Sequence, residues 1–350
     1  MKKILKSVAT TTFIASLAAA VPMTAQAEKV LRFAHDNKAD MFENPAHAFT
    51  GVFKNIVEAA SNGEIKVEVY PSNQLGSAKE HIQMVRDGQI QGTLASVGAL
   101  AGYYPRIGVL DVPFAFNSNA ATYDVFDGGF GKALAGDIEG SLGDVKVLGF
   151  PDTGGFLGDQ LQAGDRNPGG LQGHPHPHHD AADPPEDHPV AGGEAYPLAW
   201  GEVYSSLQTG VIDGQMNPVP TVTFAKFDEV QQYLTLTNHL FAPYTLLLNK
   251  AFYDSLSDEE RGIIHFAAQS GIVAGRGVAR VIEASDRGLA GLKEKMEVNA
   301  LSPEERVRFR DATQPVLIET IREAQDDAGD KLLDMFLSES QKANEQQYLK

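Results

Sequence analysis

Residues 200–218, WGEVYSSLQTGVIDGQMNP, are the stretch whose reading decides the fold. Glu202 to Thr209 has the apolar spacing of an amphipathic helix. Gly210 stands where a helix end favours a left-handed residue, a conformation glycine reaches without steric cost. Val211 to Asp213 then reads as a short strand bounded by glycines, leading into a turn that presents Gln215 and Asn217. Pro218 is expected to stop any renewed helix, because proline has no amide donor. Such a corner holds a side-chain amide at a strand end, where α/β sheets usually bind small ligands. Many α/β corners share this geometry, so the spacing alone names no ligand.

The alternation continues in both directions. Lys29 to Ala34, Glu64 to Tyr70, Ile90 to Val97 and Val145 to Phe150 read as strands. Ala46 to Ala60, Ser77 to Arg86 and Ala120 to Ala135 read as helices. Beyond the corner come a helix from Val222 to Phe227 and strands from Tyr233 to Thr237 and Tyr244 to Asn249. Ser257 and Glu260 form a capping box, opening a helical pattern that runs to about Lys295. Ser302-Pro303-Glu304-Glu305 opens another helix with proline in its first position. Asp326 to Tyr348 is a polar helical tail expected to wrap the surface. This order predicts an α/β fold with a mostly parallel sheet covered by helices. The helix from Ser257 suits a piece crossing between two lobes and equally a separate helical domain.

Composition narrows the function classes. Lys2, Lys3 and Lys6 precede a small and apolar run from Ser7 to Val21, and Ala25-Gln26-Ala27 supplies a cleavage pattern. Residues 1–27 are therefore expected to be a signal peptide, cleaved after Ala27, with a periplasmic mature chain. The apolar run is short for a membrane span. The remaining chain is long enough for two cores. There is no cysteine, which excludes thiol catalysis and cysteine-ligated metals. The formal charge of −17 argues against nucleic acid as a partner, since basic patches that neutralise phosphates are lacking. A few cations in a cleft still set a local field that admits an anion. No G-x-S-x-G elbow, P-loop or H-E-x-x-H motif is present, and nothing singles out an acidic pair for hydrolysis.

The wording of residues 202–218 closely resembles the ExYxxLqxGxxDGqxNP block of the periplasmic solute receptors of TRAP transporters, the DctP-like family. Pro71 to Gly76, PSNQLG, resembles that family's yPxxqLG turn, and the likeness covers most of the chain outside 1–27 and 157–190. It implies a two-lobed periplasmic-binding-protein (Venus-flytrap) fold with a long helix spanning both lobes. Residues 28–152 plus about 241–280 would form lobe 1, and 153–240 plus about 281–310 lobe 2. Residues 311–350 would be C-terminal helices. The implied function is an extracytoplasmic receptor, not an enzyme, that binds a small carboxylate without a cofactor. It would act as a monomer and deliver its ligand to small DctQ-like and large DctM-like membrane subunits.

Asn217 is the foremost candidate ligand residue: an amide at a strand end can donate to a carboxylate oxygen, and the family's matching asparagine is implied to do so. Its alternative role is to stabilise a turn. Gln215 lies beside it. Trp200, the single tryptophan, either stacks on a ligand or anchors the core. In lobe 1, His35, Asp36 and Asn37 follow the first strand. Asn44 before Pro45 suits a helix cap as well as a cleft contact. Gln74 and Glu80 flank the PSNQLG turn, and Phe42 and Tyr244 are candidates for apolar walls or for core.

Residues 157–190, LGDQLQAGDRNPGGLQGHPHPHHDAADPPEDHPV, break the surrounding pattern. They hold five of the ten histidines and six prolines, which exclude a regular helix or central strand. Three readings compete. One is a disordered insertion. The second is a metal tract using His174, His176, His178 and His179, which would make the protein a periplasmic metal binder. The third is translation in the wrong frame. Read from the second base of each codon, 174–179 can encode Ile-Arg-Ile-Arg-Thr-Met and 168–173 can encode Pro-(Ala/Glu)-Asp-Phe-Lys-Gly. Together these reproduce the Pro-x-Asp-(Phe/Leu)-x-Gly-(Ile/Leu)-(Lys/Arg)-(Ile/Val)-Arg motif that the family carries at this point. The third reading therefore carries most weight. The resemblance implies that the last arginine of that motif grips the ligand carboxylate with two parallel bonds, as a planar guanidinium suits. Here that position is Pro177.

Overall fold

In a computed structural model, the described residues are 29–161, 175–179 and 194–346, with the backbone alone for 159–161, 175–179 and 194–197. The signal peptide expected at 1–27 and its cleavage after Ala27 lie outside them, as do His174 and the side chains of His176, His178 and His179.

The first half builds as its local signals dictate. β1 (Lys29–Ala34) leads to α1 (Pro45–Ala60), β2 (Ile65–Tyr70), α2 (Ala78–Arg86) and β3 (Gly92–Ala95). Ser77 and Glu80 close a reciprocal capping box at the start of α2. The strand expected to reach Val97 stops at Ala95, because Ser96 caps α3 (Val97–Ala101). The single helix expected over Ala120–Ala135 is two, α4 (Asn119–Asp127) and α5 (Gly129–Leu142), parted where Gly128 leaves helical geometry. β4 (Val145–Val147) follows.

The chain then crosses to a second sheet. It contributes β5 (Leu157–Leu161), β6 (Pro175–His179), β7 (Glu194–Leu198), α6 (Val203–Thr209), β8 (Gly214–Pro218), α7 (Val219–Phe224) and β9 (Tyr233–Leu236). It returns through β10 (Thr245–Asn249) and α8 (Lys250–Asp254) to α9 (Asp258–Ala284). α10 (Leu289–Leu292) and β11 (Glu297–Ala300) lie beyond, followed by α11 (Pro303–Ala324) and α12 (Asp327–Glu345).

The first sheet has the order β2-β1-β3-β10-β4 and the second β11-β9-β5-β8, with β6 and β7 paired separately in parallel. β6 lies beside β8. The expectation of a mostly parallel sheet needs correction. β1 is parallel to β2 and β3, but β10 runs antiparallel to both β3 and β4. β10 arrives from the second lobe and so enters the sheet from its opposite end.

The opening corner is also redrawn. Gly210 does cap α6 in the left-handed region, at φ 71°. The strand, however, is Gly214–Pro218 and not 211–213, because its partner β5 pairs along that stretch. Gln215 and Asn217 therefore sit within a strand. Pro218 does not prevent a helix: it is the cap of α7, where the first turn has amides without helical partners in any case.

α9 joins the two lobes. Its Ile264, Ala267, Ala268 and Ile272 pack into the core shared by α1 and the first sheet. Gly271 and Gly275 permit close approach to α1: a Cβ at Gly271 would lie 2.8 Å from the Phe49 ring, and one at Gly275 2.9 Å from the Pro45 carbonyl. The helix ends at Ala284 rather than near Lys295, and the chain continues to Leu292 and Met296 in the second core. The tail does more than wrap the surface. Leu332, Leu333 and Phe336 of α12 are buried in the first core, each contributing about 2 kcal/mol by the area it removes from water.

Between the lobes, segments 148–157 and 240–246 run side by side. Leu148 N donates to Leu246 O, Leu246 N to Gly149 O, Tyr244 N to Pro151 O and Leu157 N to Leu240 O. They form a two-stranded ribbon at the joint.

Candidate ligand cleft

In the first sheet the connections from β2 through β1 to β3 reverse direction beside β1. The crevice outside the carboxyl ends of β1 and β3 is thus the switch point where such sheets bind ligands. The loop 36–44 follows β1 there. Asn37 is buried; its Nδ2 donates to Asp36 Oδ1 at 2.6 Å and to the Tyr244 hydroxyl at 2.8 Å. Asn44 Nδ2 donates to Asn37 Oδ1 at 2.9 Å, while Asn44 Oδ1 accepts from the amides of Ala46 and His47 as the cap of α1. Asn37 and Asn44 thus brace the loop from within. Burial, with Asp36 acting in the same direction, pushes the Tyr244 hydroxyl pKa well up.

His35 is fully buried behind this loop, with Nε2 3.0 Å from His47 Nδ1. Burial pushes its imidazole down to about 3, and His47 and His81 act in the same direction. It is a neutral core histidine. Glu80 is exposed; its Oε2 accepts from the Ser77 amide at 2.7 Å, and Ser77 holds it below the usual carboxylate range. Its carboxylate is thus committed to the start of α2. Phe42 is 77% exposed at the rim, whereas Tyr244 packs into the core.

On the other side, Gln215 and Asn217 lie on one face of β8. Asn217 Nδ2 donates to Gln215 Oε1 at 2.5 Å, and Gln215 Nε2 to Gln231 Oε1 at 2.9 Å. This buried chain of amides fixes the Asn217 side chain at the sheet end. Trp200 packs against Phe224 and Phe227, with ring centroids 6.2 and 5.7 Å away, and remains half-buried. It walls the second core.

The two sides meet. Lys38 Nζ reaches the Phe224 carbonyl of α7 at 3.5 Å, and Arg287 Nη1 donates to the Phe42 carbonyl at 3.1 Å. The rim loop of one lobe thus lies against the helix that directly follows Asn217 in the other.

Sequence reasoning missed the joint beneath. Asp152 is buried; its Oδ1 accepts from the amides of Gly154 at 2.7 Å and Gly155 at 2.6 Å, and its Oδ2 from the Tyr123 hydroxyl at 2.7 Å. Arg280 of α9 lies 3.7 Å from Asp152 and donates to Tyr123, the Gly154 carbonyl and Glu283, each at 3.0 Å. Arg276 forks onto Asp127 and covers the Tyr123 ring at 4.1 Å. Burial pushes Glu283 up to about 7 despite the opposing pull of Arg280. The signal was Pro151-Asp152-Thr153-Gly154-Gly155 together with Arg276 and Arg280, four positions apart in the small-residue and apolar stretch 271–282 of α9.

Among the described residues, no group of three or more histidine, aspartate or glutamate side chains is placed to hold a metal ion, and no helix is long and apolar enough to cross a membrane. The metal reading of the histidine tract gains no support.

Comparison with known proteins gives a consistent answer. The DctP family, described as bacterial extracellular solute-binding protein family 7, matches residues 37–172 and 184–324. The match pauses over the centre of the histidine tract. The chain is 31% identical over 314 residues to the 2,3-diketo-L-gulonate-binding periplasmic protein YiaO of Escherichia coli, covering 88% of this chain and 91% of that one. It is 29% identical over 320 residues to the C4-dicarboxylate-binding periplasmic protein DctP of Rhodobacter capsulatus, covering 86% and 89%. The sugar acid binding protein of Advenella mimigardefordensis, solved with galactonate, superposes with a TM-score of 0.81 at 27% identity, over 90% of this chain and 98% of that one.

Proposed function

Because the chain belongs to the DctP family of extracellular solute-binding proteins, we propose that it is the extracytoplasmic receptor of a TRAP-type transporter. It holds a small organic acid between its two lobes and delivers it to the membrane permease. The family is one of transport receptors and not of enzymes. Its relatives YiaO and DctP are periplasmic proteins, and this chain takes the same location after cleavage at Ala27. It works as a monomer with small DctQ-like and large DctM-like membrane subunits.

The observation that carries this reading is the braced amide of Asn217, which sits one helix away from the rim loop of the opposite lobe. Ligand contacts to both lobes favour the closed state by their difference in affinity for the two conformations. A thermal-shift screen of the mature protein tests it. Organic acids should raise the melting temperature by mass action; stabilisation by Zn²⁺ alone, or turnover of a substrate, would overturn it.

The histidine tract bears on affinity. The pause in the family match at 173–183 supports the altered-frame reading. The backbone of β6 still lies beside β8, with Pro177 opposite Tyr196 of β7. A proline there supplies neither an amide to the sheet nor a cation to a carboxylate. The chain as written therefore binds its acid weakly. Resequencing codons 157–191 is decisive: an intact frame removes the explanation.

A further inference from the structure

The receptor reading requires the lobes to swing, and the rims carry bonds that resist their parting. Lys38 of the lobe-one loop reaches the Phe224 carbonyl at 3.5 Å, and Arg287 on the lobe-two side donates to the Phe42 carbonyl at 3.1 Å. The exchange is reciprocal: each lobe supplies one cation and one main-chain acceptor. Both bonds run between protein groups, so they are the same whichever acid the cleft holds.

Each partner is fixed within its own lobe. Asp40 Oδ1 accepts from the amides of Phe42 and Glu43 at 2.8 and 3.0 Å, and the Asp40 carbonyl accepts from the Asn44 amide at 3.1 Å. The turn at 40–44 is thereby closed, and the direction of the Phe42 carbonyl is set. Across the rim, Arg287 lies just beyond α9. Its amide donates to Ser285 Oγ at 3.2 Å, and its carbonyl accepts from the Thr223 hydroxyl of α7 at 2.6 Å. The Thr223 bond makes Arg287 travel with α7. Phe224 ends that helix, where carbonyls lack helical partners and a lysine is a suitable donor. Arg287 also meets Glu43 at 3.4 Å, but these side chains are 39% and 54% exposed, so solvent and salt screen that pair.

We propose that Lys38 and Arg287 form a two-point latch between the rims, positioning residues that favour the closed state and so set the affinity for every acid the receptor takes. The latch rests on the two-lobed receptor reading. A ligand that needs the closed state binds with its intrinsic affinity reduced by the closed fraction. Loss of the latch therefore weakens all acids by one factor, whereas loss of a ligand contact weakens different acids unequally.

The chain has no cysteine, so Asn55→Cys on α1 and Gln208→Cys on α6, both exposed, place two spin labels, one on each lobe. Dipolar distances in the free mature chain should contain a component at the spacing of the present structure. Arg287→Ala should lower the closed-to-open ratio about 5-fold, and adding Lys38→Ala about 10-fold in all, the worth of part-exposed charged bonds. Arg287→Lys should restore most of the loss, since an ammonium keeps a donor. The melting temperature should stay within about 2 °C, as for other surface changes; a larger fall without rescue by lysine would mark a structural role and overturn the latch. In calorimetry, galactonate and succinate should weaken by the same factor in the double variant. Absence of the closed component in the unaltered chain, or a ratio unmoved in the double variant, would overturn the latch. Unequal weakening of the two acids would also overturn it and place the cations on the ligand. Failure of organic acids to bind at all counts against the receptor reading, while the ligand-free distances still decide the latch.

Discussion

Replacing Asp152 by alanine should loosen the joint between the lobes. The carboxylate is buried and accepts three hydrogen bonds, from Gly154 N, Gly155 N and Tyr123 Oη, at 2.6 to 2.7 Å. Hydrogen bonds to a charged group are worth about 1.5–3 kcal/mol each. They are not additive here, because one group makes all three. Removing it also leaves Arg280, 29% exposed, with Glu283 as its remaining carboxylate partner among those described. Breaking a buried pair from one side costs roughly 3–5 kcal/mol, and that is the expected loss. For a protein of this size, at ~2.1 cal/mol/K of unfolding entropy per residue, it corresponds to a fall in melting temperature of about 4–8 °C. Asp152→Asn keeps an acceptor for the two glycine amides and should lose about half as much. The assay is urea unfolding followed by Trp200 fluorescence, paired with hydrogen exchange at Gly154 and Gly155. A loss below about 1 kcal/mol for the alanine variant, with both amides still protected, would refute the view that Asp152 organises the joint.

Stability should depend on pH through three groups, two histidines acting against one glutamate. His35 and His81 are fully buried with pKa values pushed down to about 3 and about 4, so their contribution is complete above the unfolded value near 6.5 and is lost as pH falls, at up to about 1.4 kcal/mol per unit each. Glu283, pushed up to about 7, binds its proton more tightly when folded, so its contribution is full below about 4.5 and is lost as pH rises towards 7. Melting curves from pH 4 to 8 on the unaltered chain and Glu283→Gln separate them: the variant should lack the loss on the neutral side, and an identical profile would count against the assignment. Asn217→Ala should weaken carboxylate binding about 10-fold through one lost charge-assisted bond, measured by calorimetry; unchanged affinity would move the anchor elsewhere. Pro177→Arg should strengthen carboxylate binding by roughly 30-fold or more if the lost guanidinium is the missing half of the grip, and no gain would argue that β6 does not face the ligand.

What was legible in the sequence was local. Capping boxes at Ser77, Ser257 and Ser302 and the cap at Asn44 declare themselves within four residues, and each helix starts where they stand. The resemblance at 202–218 supplied the family. Features set by distant partners were not legible. β8 lies where β5 pairs with it, so the strand expected at 211–213 was displaced to 214–218. β10 joins the first sheet after a visit to the second lobe, which no local periodicity records. Among the candidate site residues, Asn217 and Gln215 are brought together because alternate residues of a strand share a face. His35 went into the core and Glu80 into a helix cap, roles their residue types serve as readily as ligand contact. The joint links Arg280 to a tyrosine 157 positions away, and its residue types announce nothing singly.

The paired segments 148–157 and 240–246, together with α9, mean that the lobes are tied by three straps rather than one. A ribbon of two hydrogen-bonded strands flexes across its flat face and resists shear within its plane. α9 lies alongside and limits torsion. The lobes are therefore guided like a door on a strip hinge, able to swing about one axis while their rims stay in register. A single protease nick in any one of the three straps would leave the swing and its alignment intact, so the two fragments would part only in denaturant.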